Sequence, residues 1–272
     1  MHERFEWRKT PAVKHRVYPA VMSVCIAMKR DLFGAEVVAC CDRQISTDYI
    51  SSETGFKVRP LNNYWIALQA GVDPITDEVL DLFGDSMPDV DDLNPIEALR
   101  VPLRQWRRRL AEAYIHQQHA ISFDEFYDAK WMDTEIWSET QREIGRRYET
   151  QKKDVQLVLI GQVGMQLNLY SVIDGEISEC KQIAVTGTGY AVAEAALYWR
   201  LDHDMERTLE QTVYAVYEAK KLSEMSPYVG EKSVMSILTA GQHGIGYSRV
   251  NQKALAKQFQ RFGPKPYRAS KH

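Results

Sequence analysis

The feature that most constrains the fold is a hydrophobic period that switches from two to about 3.6 and back, twice, along the chain. "SVCIAMK" and "EVVACCD" flank the turn "RDLFGA" and read as a hairpin rich in Val, Ile and Cys. "FKVRPL" and "YWIALQAG" read as a second hairpin across Asn62 and Asn63, and two hairpins so close predict one antiparallel sheet. The period then turns helical in "PITDEVLDLFGD", with Pro74 near its start and Thr76 and Asp77 as candidate caps. Residues 95 to 150 continue as long helices broken around "HAISFDEF". Strands return in "VQLVLIGQV" and "MQLNLYSVI", turn at Asp174 and Gly175, and run on through "EISECKQIAVTG". Two helices, "YAVAEAALYWRL" and "TLEQTVYAVYEAKKL", precede the closing strands "KSVMSILTAG" and "IGYSRV". Strands, helices, strands, helices, strands is the order of an α+β domain with sheets packed between helix layers, and it argues against an alternating parallel sheet.

The chain of 272 residues is 44% apolar, enough for one domain with a sizeable core. The expected division is an N-terminal extension or propeptide over 1–22, the domain over 23–250 and a polar surface tail over 251–272. A formal charge of −3 gives no support for a nucleic-acid or membrane-surface role, and no apolar stretch approaches the roughly 20 residues that span a bilayer. The charged opening "MHERFEWRKTPAVKHRVYPA" lacks an apolar signal core. Four cysteines without a C-x-x-C pair or matched histidines fit reduced thiols in the cytoplasm better than a disulfide or zinc framework. "RQWRRRLAEAY" reads as a solvated helix face, with a subunit contact as the sharper alternative. His116 and His119 in "HQQH" have the spacing to share a metal but no evident third ligand, so they read as structural. No metal and no cofactor is expected.

"VTGTGYA" runs from a strand into a helix, yet it lacks the Lys of a phosphate-binding loop and the full dinucleotide spacing, and reads as a tight turn facing a cleft. Neither a Gly-x-Ser-x-Gly elbow nor a His-Glu-x-x-His helix occurs. What remains makes sense if Ser23 becomes a free N-terminus, because a terminal Ser can use its own α-amine as the base that activates its hydroxyl. Such a site needs a cation beside the nucleophile, an acid to hold that cation and backbone N–H groups for an oxyanion. Lys57, Asp42 and the turn at Gly71 are the candidates. If Lys29 pairs with Glu36, then Cys25 falls opposite Cys40 and Ser23 opposite Asp42. In this reading Cys40 and Cys41 are the buried end of a strand that fixes Asp42 beside Lys57, and a cross-strand disulfide is disfavoured.

"SVCIAMK…VVACCDRQISTDYISSETGFKVRPLNNYWIALQAG" resembles the opening of proteasome β-type subunits and their bacterial relatives. The order continues in "LVLIGQV", "AVTGTGYA" and "MERTLEQTVYAVYEA", so the resemblance covers roughly residues 22 to 240. It implies a four-layer αββα sandwich of the N-terminal-nucleophile hydrolase type. Carried over by position, Ser23 stands for the terminal threonine, with Val21 as the other counterpart, which would leave no nucleophile. Asp42 stands for the acid, Lys57 for the lysine, Gly71 for the oxyanion glycine and Thr188 for a serine supporting the amine. "KLSEMSPYVG" offers Ser223 or Glu224 and then Ser226 for the polar group after the late helix. Self-cleavage before Ser23, or translation starting at Met22 followed by methionine removal, would expose the nucleophile. The resemblance implies a peptide or amide substrate, a homo-oligomeric ring or spiral and an ATP-dependent unfoldase as a partner. The alternative is a catalytically silent assembly subunit, and a small-molecule amidase is a third reading.

Overall fold

The computed structural model describes residues 23–30, 34–43, 45–46, 51–52, 57–71, 73–87, 95–128, 134–203, 207–226 and 229–263. The first elements are β1 (Cys25–Lys29), β2 (Glu36–Asp42), the two-residue strands β3 (Ile45–Ser46) and β4 (Ser51–Ser52), β5 (Val58–Pro60) and β6 (Trp65–Gln69). Helices α1 (Asp73–Ser86), α2 (Pro95–His119), α3 (Phe123–Asp128) and α4 (Thr134–Gln151) follow. Then come β7 (Leu157–Val163), β8 (Gln166–Ile173), β9 (Glu176–Cys180), β10 (Ile183–Thr186), α5 (Tyr190–His203) and α6 (Leu209–Ser223). The last are β11 (Ser233–Thr239), β12 (Gly246–Arg249) and α7 (Gln252–Phe262).

Ten of these strands form two antiparallel five-stranded sheets, ordered β10-β1-β2-β11-β12 and β5-β6-β7-β8-β9. With the seven helices among the described residues they make a mixed, segregated α+β architecture. The two early hairpins do not share a sheet. The outer edges of β1 and β2 are filled by β10 and β11 from much later in the chain, so the second hairpin finds its neighbour in β7 instead. "EISECKQIAVTG" likewise divides, with β9 closing the second sheet and β10 crossing to the edge of the first.

Alternation of side chains along β1 and β2 feeds two different cores. Val24, Ile26, Met28, Val38 and Cys40 face Leu197, Val213, Val216 and Tyr217 of α5 and α6. Cys25, Ala27, Val37, Ala39 and Cys41 face Ile66, Leu68, Val158 and Ile160 of the second sheet. The other side of that sheet packs Trp65, Leu157, Leu159 and Tyr170 against Val79, Phe83, Leu99 and Trp106 of α1 and α2.

Three local expectations are corrected. The β1–β2 register is one residue off, pairing Lys29 with Val37, Cys25 with Cys41 and Ile26 with Cys40. The charge pair that closes the hairpin is Arg30 with Glu36 at 2.6 Å, while Lys29 turns inward and donates to Asn168 at 3.1 Å. Helix α1 starts at Asp73, so Thr76 and Asp77 lie within it rather than capping it, and Pro74 occupies the first turn, where it lacks only an N–H that would have no partner. The polar tail from Gln252 opens as helix α7, N-capped by Asn251, whose side chain accepts from the amide of Lys253 at 3.1 Å. Leu255, Ala256 and Phe259 of that helix pack on the core shared with α6. Residues 264–272 lie outside the described residues, as do Met22 and Val21.

Candidate active site

Ser23 lies just before β1, Asp42 ends β2 and Lys57 immediately precedes β5, so two adjacent strand ends of the first sheet meet the entry of the edge strand of the second. Lys57 Nζ donates to Ser23 Oγ at 2.6 Å and to Asp42 Oδ1 at 2.7 Å. Ser23 Oγ in turn donates to the same Oδ1 at 2.6 Å, which closes a triangle of serine, lysine and aspartate. The three residues are only 1%, 8% and 1% exposed. A buried ion pair of this kind persists when further hydrogen bonds satisfy its remaining lone pairs. The Gly230 amide does so here, donating to Asp42 Oδ2 at 3.0 Å.

The glycine-rich turn after β10 does not face outward to take a phosphate. Gly189 donates its amide to the carbonyl of Ser23 at 3.3 Å. Gly187 has φ +98°, and a Cβ there would stand 2.3 Å from that same carbonyl oxygen. These two glycines therefore cradle the main chain of Ser23, which is why the turn tolerates no side chain at 187. Thr188 sits between them, half-buried, with no hydrogen bond to Ser23, Asp42 or Lys57 among the described residues. The site uses the backbone on either side of it.

Gly71 follows β6, and a Cβ on it would meet the Asp154 carbonyl at 2.2 Å and Thr76 Oγ1 at 2.3 Å, so only glycine fits. Its own amide has no acceptor among the described residues. A backbone N–H of this kind is a donor that an oxyanion can use. Ser226 makes no hydrogen bond to Ser23, Asp42 or Lys57 among the described residues. It stands in the turn after α6, where its amide bonds Ser223 O and its carbonyl receives the Val229 amide.

Sequence reading missed three supporting groups. Gly230 holds the acid, as above. Lys220, fully buried, donates from Nζ to Gly230 O at 2.7 Å and to Glu224 Oε1 at 2.7 Å, fixing the segment that carries the Gly230 amide. Gln156 ties two turns together: its Oε1 accepts from Thr186 Oγ1 at 3.1 Å and from the Gly187 amide at 3.0 Å, while its carbonyl accepts from the Ala70 amide at 2.9 Å. A lysine four residues before a glutamate signals an i, i+4 pair, but helical spacing alone does not reveal that the pair is buried. Gln156 and Gly230 carry no sequence signal of their role.

The cysteines are packing. All four are free thiols, and burial pushes Cys40 up to about 12 and Cys41 well above its ordinary value. Neither forms the thiolate that nucleophilic or metal chemistry needs. Cys25 Sγ instead donates to Gln69 O at 3.1 Å, across the gap between the sheets. His119 stacks on Phe126 and shares a hydrogen bond with Thr140 Oγ1 at 2.9 Å. Among the described residues no group of three or more His, Cys, Asp or Glu side chains is placed to hold a metal, and no helix is long and apolar enough to cross a membrane.

Compared with known proteins, the sequence matches no family model and no curated protein.

Proposed function

We propose that the protein is a proteasome-like N-terminal-nucleophile hydrolase, an αββα sandwich that cleaves peptide or other amide bonds once Ser23 is the first residue. The observation that carries the reading is Lys57 Nζ, buried at 2.6 Å from Ser23 Oγ and anchored by Asp42 at 2.7 Å. A serine hydroxyl is a weak nucleophile until a base takes its proton. The α-amine of a terminal Ser23 is that base. The adjacent ammonium of Lys57 favours the neutral amine and stabilises charge developing on Oγ.

Oγ attacks the amide carbon and its proton passes to the amine. The oxyanion lies against the Gly71 N–H. Collapse breaks the C–N bond as the amine returns the proton to the leaving nitrogen, leaving an ester on Ser23. Water, activated by the same amine, hydrolyses the ester and restores the hydroxyl. Asp42 is a positioning residue that holds Lys57 in place throughout.

The test is the mass and N-terminal residue of the protein made in its native host, followed by turnover of peptide and simple amide substrates. The expected product begins at Ser23 and hydrolyses amides. A chain retaining residues upstream of Ser23, with no turnover, leaves no amine base and sinks the proposal. Cleavage of simple amides without peptides would point to a small-molecule amidase. Tyr190, Tyr198 and Trp199 are exposed on α5, which favours an assembly face, so a silent assembly subunit is the second reading. A homo-oligomeric ring or spiral, and delivery of substrates by an ATP-dependent unfoldase, belong to the same proposal.

A further inference from the structure

A cavity of about 450 Å³ lies between the edge strands of the two sheets, with Lys57 in its wall. β5 is the edge of the second sheet and β12 the edge of the first, and the turns at their ends are pinned by the Ile245 amide donating to Asn63 O at 2.8 Å. The volume falls within the range of about 300–1,000 Å³ typical of small-ligand sites. Val58, Pro60, Ile66, Val234 and Ile245 supply its apolar walls. Asn62, Asn63, His243, Tyr247 and Arg249 supply its polar groups.

The charge of this lining is one-sided. Among the described residues no Asp or Glu borders the cavity. The ammonium of Lys57 is already matched by Asp42, whereas Arg249 pairs with no carboxylate among the described residues. On its other side Arg249 borders a shallower groove to which Arg43, Lys232 and, as the one acid among the described residues, Glu231 contribute. A largely apolar chamber bordered by an exposed arginine and by Lys57 suits a ligand with an aliphatic or aromatic body and a carboxylate.

We infer that this cavity binds the acyl portion of an anionic amide substrate, with apolar side chains against Val58, Ile66 and Ile245 and a carboxylate against Arg249. The inference rests on the hydrolase reading in taking the ligand to be the substrate of Ser23. Arg249 is then a specificity-determining residue outside the Ser23, Lys57 and Asp42 cluster.

The test separates binding from turnover. The full chain carrying Ser23→Ala is titrated calorimetrically with succinyl-Leu-Leu-amide and acetyl-Leu-Leu-amide, which differ in one carboxylate. The succinyl probe is expected to bind about tenfold more tightly, and Arg249→Gln, an exposed change, to remove that preference. Equal affinities, no binding of either probe, or a preference that survives Arg249→Gln each overturn the inference. Coumarin amides of the same two sequences, given to the protein with Ser23 intact, report on the hydrolase reading separately. Turnover without charge preference defeats the cavity assignment alone, and charge-selective binding without turnover defeats the hydrolase reading alone.

Discussion

Two buried lysines invite comparison. Lys57 bonds Asp42 and Ser23 Oγ, and Lys220 bonds Glu224 and Gly230 O. Both are nearly sealed from solvent and both have a carboxylate at 2.7 Å. They differ in the third partner. A hydroxyl oxygen can become a nucleophile, whereas a peptide carbonyl can only be held. Burial of a charge marks a site that is costly to disturb, and the group beside it decides whether the cost serves chemistry or architecture.

The comparison is broken most directly by removing each lysine in turn. Lys57→Ala is expected to lower turnover of the processed enzyme at least about a thousandfold, the loss typical of removing a group that stabilises transition-state charge. Circular dichroism should still show a folded though less stable protein, since Asp42 loses its buried cation but keeps its bonds to Ser23 and Gly230. Near-normal turnover in this variant would sink the assignment of Lys57. Lys220→Ala should leave the direct partners of Ser23 in place while costing about 3 kcal/mol of stability by urea titration, because Gly230 O loses its buried donor and Glu224 keeps only Lys221. A Lys220 variant as inactive as Lys57→Ala but fully stable would erase the distinction.

Gly187→Ala sharpens it from the other side. The left-handed φ and the 2.3 Å approach to Ser23 O predict a loss of about 1–3 kcal/mol together with a displaced nucleophile. An unchanged melting temperature and unchanged kcat would show that Ser23 is not held by this turn. Around Lys220 a pH test is available through Cys40, whose thiol is pushed from 9.0 to about 12, first by burial and against the pull of the Lys220 charge. Between those values the unfolded thiol has lost its proton and the folded one keeps it, so stability falls as pH rises above 9. Unfolding free energies from urea titration at pH 8 and pH 10 should differ less in Cys40→Val than in the unsubstituted chain, by about 1 kcal/mol. Equal pH dependence in the two proteins would contradict a buried, protonated Cys40. Ser226→Ala, the smallest effect, should change turnover and stability by less than about 0.5 kcal/mol. A large loss of turnover would return Ser226 to the site.

How far the sequence carried these assignments varies by element. The strand and helix order was legible because each segment keeps one period and is bounded by turn residues. The triangle of Ser23, Asp42 and Lys57 was legible because its three residue types answer one chemical need. The sheet assignment of the second hairpin was not, since it depends on β10 and β11 occupying the edges of β1 and β2, and nothing local encodes that. The one-residue register error arose from choosing Lys29 over its neighbour Arg30 as the partner of Glu36, a choice that charge alone does not make. Helix α7 was hidden by polar composition, although Leu255, Ala256 and Phe259 lie at helical spacing after an Asn cap. Gly230 and Gln156 act through an amide and a carboxamide, which carry no charge or pattern to notice.

Gln156 also bears on how the molecule can move. Two stacked sheets held only by apolar side chains can slide past one another at small cost, because such contacts have no direction. Here Gln156 is one of several polar ties across the gap, with its side chain on the β10 turn and its main chain on the turn before Gly71. Shear at that end would break both side-chain hydrogen bonds together. The nucleophile cradle and the Gly71 turn are therefore tied together at this end, as the turns beside β5 and β12 are tied at the other by the Ile245 amide and Asn63 O.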